Sequence, residues 1–141
     1  MLDSGIVIRC LRGDPRAQDL IIHLEGIGKA FVSVITVTEV LVGCRNRQEV
    51  SESLRLFRRV MPIKIGLRVA QKAGYLIKQY PYVFGKGISR GTADALIAAS
   101  SWQRNAPLYT LNIRHFANFD FAEFSTVVID QGAYSWIPST P

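Results

Sequence analysis

Four residues spread along this 141-residue chain have the types and placement to form one hydrolytic centre: Asp3, Glu39, Asp94 and Asn112. Asp94 lies in the stretch Gly87 to Ala99, where it is a single carboxylate among small and apolar residues. Ser89 or Thr92 can cap a helix there, and Ala95 to Ala99 are mostly strong helix formers. Asp94 then falls in or near the first turn, where free backbone N–H groups and the positive end of the helix dipole keep a carboxylate ionised. Ile97 and Ala98 share its face and argue that this face points inward, so the charge needs a compensating partner. Taken alone, Asp94 reads more simply as a residue that strengthens the helix start. Glu39 is the only acid in a long apolar run. On that segment alone, a solvent-facing helix position and an inward-facing acid are equally good readings.

The elements that must position these residues follow from local signals. The opening stretch Met1 to Ile8 puts Asp3 at the end of a very short first strand or in the turn after one, and that strand looks clipped. Asp14 and Pro15 mark a helix start whose apolar face is Leu20, Ile21 and Leu24. Ala30 to Val34 reads as a buried strand, with Thr36 or Thr38 opening the helix that carries Glu39. Arg45 to Arg59 reads as a surface helix, Met61 to Ile65 as a strand, and Leu67 to Tyr80 as a helix with Val69, Ala70, Ala73, Leu76 and Ile77 inward. Gly85 and Gly87 mark the loop into the Asp94 helix. Pro107 to Leu111 reads as a strand ending at Asn112, and Thr126 to Ile129 as another ending at Asp130. This alternation predicts one α/β domain over residues 1–141 with a mostly parallel sheet. Ligands in such sheets bind beyond the carboxyl ends of the strands, where all four residues can converge.

Three carboxylates gathered without a counter-ion repel one another. A hard divalent cation relieves this, and carboxylate oxygens with an amide suit Mg²⁺ or Mn²⁺ far better than zinc. With 17 Lys and Arg against 11 Asp and Glu, the net charge of +6 favours a polyanionic partner, nucleic acid ahead of a membrane surface. Cys10 and Cys44, in apolar settings, read as free thiols in a reducing compartment. No apolar stretch reaches bilayer-spanning length and no leader pattern opens the chain, so a cytoplasmic protein is expected. A basic domain with a magnesium site and no glycine-rich nucleotide loop points to phosphodiester hydrolysis.

Four motifs, in order, resemble the PIN-domain ribonucleases and, within them, the VapC-like toxins of type II toxin-antitoxin pairs. They are Leu2-Asp3-Ser4, then Ser33 to Val40 with Gly43, then Ala93 to Ala99, then Leu108 to Asn112 with His115-Phe116. The resemblance implies a three-layer α/β/α sandwich, Mg²⁺- or Mn²⁺-dependent endoribonuclease activity leaving a 5′-phosphate and a 3′-hydroxyl, and tRNA or ribosomal RNA as target. It also implies a homodimer and a small inhibitory antitoxin. By position, Asp3, Glu39 and Asp94 match the family's metal-binding acids, and Asn112 a fourth position that is often acidic and sometimes Asn. One departure is Gly5, where the family usually carries Asn. His115 matches a structural position.

Arg90 and Arg114, with Lys86 and Arg104, lie near or just beyond the expected site and can touch phosphate, which predicts salt-sensitive RNA binding. A phosphoacceptor domain needs paired acids after the first strand, and a phosphatase of the Asp-x-Asp type needs an acid where Gly5 stands. The stronger alternative is a catalytically weak binding module that acts by holding an antitoxin in a DNA-bound repressor complex.

Overall fold

The computed structural model describes residues 1–85 and 91–112 and the backbone of a strand at 126–128. Helix α1 spans Ser4–Leu11, α2 Pro15–Gly26, β1 Phe31–Ser33, α3 Val34–Val42 and α4 Arg47–Arg59. Then come β2 Met61–Ile63, α5 Leu67–Gln79, the short α6 Pro81–Phe84, α7 Thr92–Arg104, β3 Leu108–Thr110 and β4 Thr126–Val128.

The sheet is built around one residue. Leu2 bridges in parallel to Val32 on one side and to Tyr109 on the other. β2 extends the sheet beyond β1, and β4 extends it beyond β3, both in parallel. Among the described residues the order is therefore β2, β1, Leu2, β3, β4. Parallel neighbours need crossovers, and among the described residues those are helices, such as α3 and α4 between β1 and β2.

Successive strand residues point to opposite faces, which separates two cores. Met1, Ile63 and Leu108 face the apolar sides of α5, α6 and α7. Leu2 and Val32 face those of α1, α2, α3 and α4. The result is the three-layer α/β/α arrangement, and no helix among the described residues is long and apolar enough to cross a membrane.

Several element boundaries differ from the sequence expectation. Only Leu2 of the first segment pairs in the sheet, and Ser4 to Leu11 is helical because the Asp3 carboxylate caps it and Ile6 and Val7 bury against α2. α3 starts at Val34 rather than at a threonine, since the Ser33 hydroxyl accepts from the Ile35 N–H at 3.3 Å. α7 begins at Thr92 behind Gly91, with no side-chain cap. Ala70 is exposed on the outer face of α5. The α6 turn, opened by Pro81, has no counterpart in the expected elements.

Candidate metal centre

The carboxyl ends of the central strands form the edge on which the acids gather. Asp3 follows Leu2 directly, so its carboxylate leaves the sheet at its middle. Its Oδ1 accepts from the Ser4 N–H at 2.7 Å, satisfying one free donor of α1. Its Oδ2 accepts from the Thr110 hydroxyl at 2.5 Å, across 107 positions of chain. Asp3 is 8% exposed and Thr110 is fully buried. The Thr110 oxygen in turn accepts from the Asn112 N–H at 3.0 Å, tying the end of β3 to the same acid.

Glu39 stands in the second turn of α3, and Asp94 in the first turn of α7. The Asp94 charge acts on Asp3, and the charges of Asp3 and Asp94 act on Glu39, so the fold brings the three acids toward one edge. Burial raises the pKa of Asp3; the Thr110 and Ser4 hydrogen bonds oppose that shift and the Asp94 charge adds to it. Glu39 is raised as well, first by burial and then by Asp3 and Asp94, against a hydrogen bond from the Ser4 hydroxyl. The Ser4 hydroxyl thus lies between two carboxylates and has one proton to give.

The Glu39 Oε2 is buried and has no hydrogen-bond partner among the described residues. A buried carboxylate oxygen without a donor is costly unless a cation or a proton meets it. The groups named beside it, the carboxylates of Asp3 and Asp94 and the Ser4 hydroxyl, are hard oxygen donors, a set that fits Mg²⁺ or Mn²⁺. The acids stand apart: among the described residues, no three His, Cys, Asp or Glu side chains are close enough to enclose an ion. Mutual repulsion of like charges favours that open arrangement.

Of the other expected site residues, Asn112 sits beside Asp3 through its backbone link to Thr110. Arg90 and Arg114, together with Lys86, His115 and Asp130, lie outside the described residues. Arg104 is a correction. It ends α7, ten residues and roughly 15 Å of helix beyond Asp94, and its guanidinium stands 5.7 Å over the Phe31 ring. Cys10 and Cys44 are free and half-buried. Ser4 and Thr110 join the site through contacts that residue type and spacing do not announce. Their positions next to motif acids are a local signal, but the contacts themselves arise only on folding.

Residues 1–122 match the model of the PIN domain. The chain belongs to the PIN-domain family. Within it, the chain is similar to "Ribonuclease VapC10" of Mycobacterium tuberculosis, 30% identical over 122 residues that cover 85% of this chain and 87% of that one. It is similar also to "Ribonuclease VapC19" of the same organism, 30% identical over 122 residues, 84% and 93% of the two chains. The PIN fold is seen in two solved structures. VapBC2 from Rickettsia felis, bound to a DNA fragment from its promoter, matches with a TM-score of 0.73 at 22% identity, covering 92% of this chain and 98% of that chain. A toxin-antitoxin complex from Klebsiella pneumoniae matches with a TM-score of 0.66 at 21% identity, covering 88% and 97%.

Proposed function

We propose that this PIN-domain protein is a Mg²⁺- or Mn²⁺-dependent endoribonuclease and the toxin of a toxin-antitoxin pair. The observation that carries the reading is the placement of Asp3, Glu39 and Asp94 along the sheet's carboxyl edge, with the Glu39 Oε2 buried and without a hydrogen-bond partner among the described residues. Two relatives named as ribonucleases support it, as do two neighbours, one described as VapBC2 on promoter DNA and one as a toxin-antitoxin complex.

In this reading Asp3, Glu39 and Asp94 hold the ion, and Asn112 orients substrate or a bound water. A Mg²⁺ or Mn²⁺ ion held by these residues would supply the Lewis acidity that phosphodiester hydrolysis requires. The chain's own contribution is to set the acids. The Ser4 N–H and the Thr110 hydroxyl each fix one Asp3 oxygen, and burial limits competition from bulk water. Arg90 and Arg114 bind the RNA backbone, the substrate is a structured RNA of the tRNA or ribosomal class, and the protein works in the cytoplasm as a homodimer restrained by its antitoxin. The whole chain, 1–141, acts as one domain.

The test is incubation of total RNA with the purified chain, in Mg²⁺ or Mn²⁺ and in chelator, beside Asp94→Asn. Discrete fragments that need both the metal and Asp94 are expected. A well-folded protein that cuts nothing with either metal would favour a binding module that works through its antitoxin.

A further inference from the structure

The start of α7 is set by a glycine in a left-handed conformation, which no other helix start among the described residues shares. α1, α2, α3 and α4 are each capped by a side chain, from Asp3, Asp14, Ser33 and Asn46. α5 has no side-chain cap and starts behind Gly66, whose φ of −105° is open to any residue. α7 has no side-chain cap either. Its cap position is Gly91, held at φ 77° and ψ 1°, with a carbonyl that accepts from the Ala95 N–H at 2.8 Å.

A Cβ at residue 91 would stand 2.0 Å from the Phe84 carbonyl oxygen, 2.6 Å from its carbon and 2.8 Å from the Phe84 Cα. All three are backbone atoms, so none can swing aside as a flexible side chain would. Phe84 is itself 0% exposed, seated in the core beneath α5, α6 and α7. Two independent constraints therefore require glycine here: a left-handed φ and a backbone-to-backbone seam. Gly13 and Gly28 meet only the first, with φ +83° and +67° and nothing within 4 Å of an added Cβ.

Asp94 is three residues past this seam, in the first turn of α7. We infer that Gly91 is the positioning residue for Asp94: the seam against Phe84 sets where α7 begins, and so where the carboxylate stands relative to Asp3 and Glu39. The inference rests on reading Asp94 as an ion ligand. Any larger residue must lift the first turn by about 1 Å to bring the 2.0 Å approach to an attainable contact. A shift of that size at a ligand is enough to weaken an ion site about 10- to 100-fold.

The test is calorimetric titration of the full chain with Mn²⁺. Gly91→Ala should keep the native far-ultraviolet spectrum and bind Mn²⁺ about 10- to 100-fold more weakly, while Gly28→Ala, with similar backbone strain in open space, binds as wild type. Equal affinity for Gly91→Ala and wild type would overturn the inference. If Gly91→Ala does not fold, Phe84→Leu is compared with Phe57→Leu, a buried change in the opposite core. Only Phe84→Leu should weaken binding, and equal affinities would again overturn the inference. Unchanged binding by Asp94→Asn, or none by wild type, refutes the ligand reading instead and is recognised from those two proteins alone.

Discussion

Replacing Asp94 by Asn keeps the shape of the side chain and removes its charge, which isolates the electrostatic role of the acid cluster. Without metal, two terms oppose each other. The α7 start loses a carboxylate worth about 0.3–1 kcal/mol to a helix N-terminus. Repulsion of Asp3 and Glu39 is relieved, by a similarly small amount because Asp94 is partly exposed and solvent screens it. The metal-free variant should therefore lie within about 1 kcal/mol of wild type. With Mn²⁺ at a hundred times Kd, wild type gains about 2.7 kcal/mol. For 141 residues the unfolding entropy is about 0.3 kcal/mol/K, so the wild-type midpoint should rise by about 9 °C. Asp94→Asn should hardly move. Thermal unfolding followed by circular dichroism, with and without Mn²⁺, reads both quantities. An equal metal-induced rise in the two proteins would refute the electrostatic account, and a metal-free variant weakened by more than about 3 kcal/mol would make Asp94 structural.

Thr110→Val keeps the buried shape but leaves the Asp3 Oδ2 without its donor and the Asn112 N–H without its acceptor. It should cost about 1–3 kcal/mol in denaturant unfolding, and a negligible loss would mean the hydroxyl does not hold Asp3. The pH dependence has a definite sign. Asp3 and Glu39 have folded-state pKa values above their ordinary 3.8 and 4.5, so the folded chain holds the extra protons. Stability of the metal-free protein therefore falls as pH rises from those values through the raised ones, while Mn²⁺ affinity rises over the same window. Opposite slopes in melts and titrations between pH 4 and 8 check this, and a pH-independent affinity there would contradict it. At Gly5 an added Cβ would meet Leu111 at 3.5 Å, an ordinary contact, and the residue sits inside α1. Gly5→Ala should stabilise the chain by about 0.5–1 kcal/mol in the same unfolding assay, whereas destabilisation would show that the site needs this position bare.

The helices were legible wherever the chain announces them. Asp14-Pro15 opens α2 at the expected residue, and the Leu67 helix shows its period plainly apart from Ala70. The parallel sheet followed from alternation, and the gathering of Asp3, Glu39 and Asp94 at one edge followed from their places after strands and at helix starts. What local pattern could not supply was the competition between elements. Ile6-Val7-Ile8 and Val34-Ile35 are β-branched runs with strand propensity, and Val34 reads as the end of a strand, yet Asp3 and Ser33 cap these runs into helices that bury Val7, Thr36 and Val40. The Thr110 hydroxyl on Asp3 and the Phe84 carbonyl on Gly91 are tertiary contacts, and no residue spacing encodes them.

The most direct measurement of the central claim is the anomalous diffraction of manganese in crystals of the protein grown or soaked with Mn²⁺. The account predicts a peak at the carboxyl edge of the sheet bound by carboxylate oxygens from at least two of Asp3, Glu39 and Asp94. A peak elsewhere, or none at that edge under conditions where the protein cuts RNA, would contradict it.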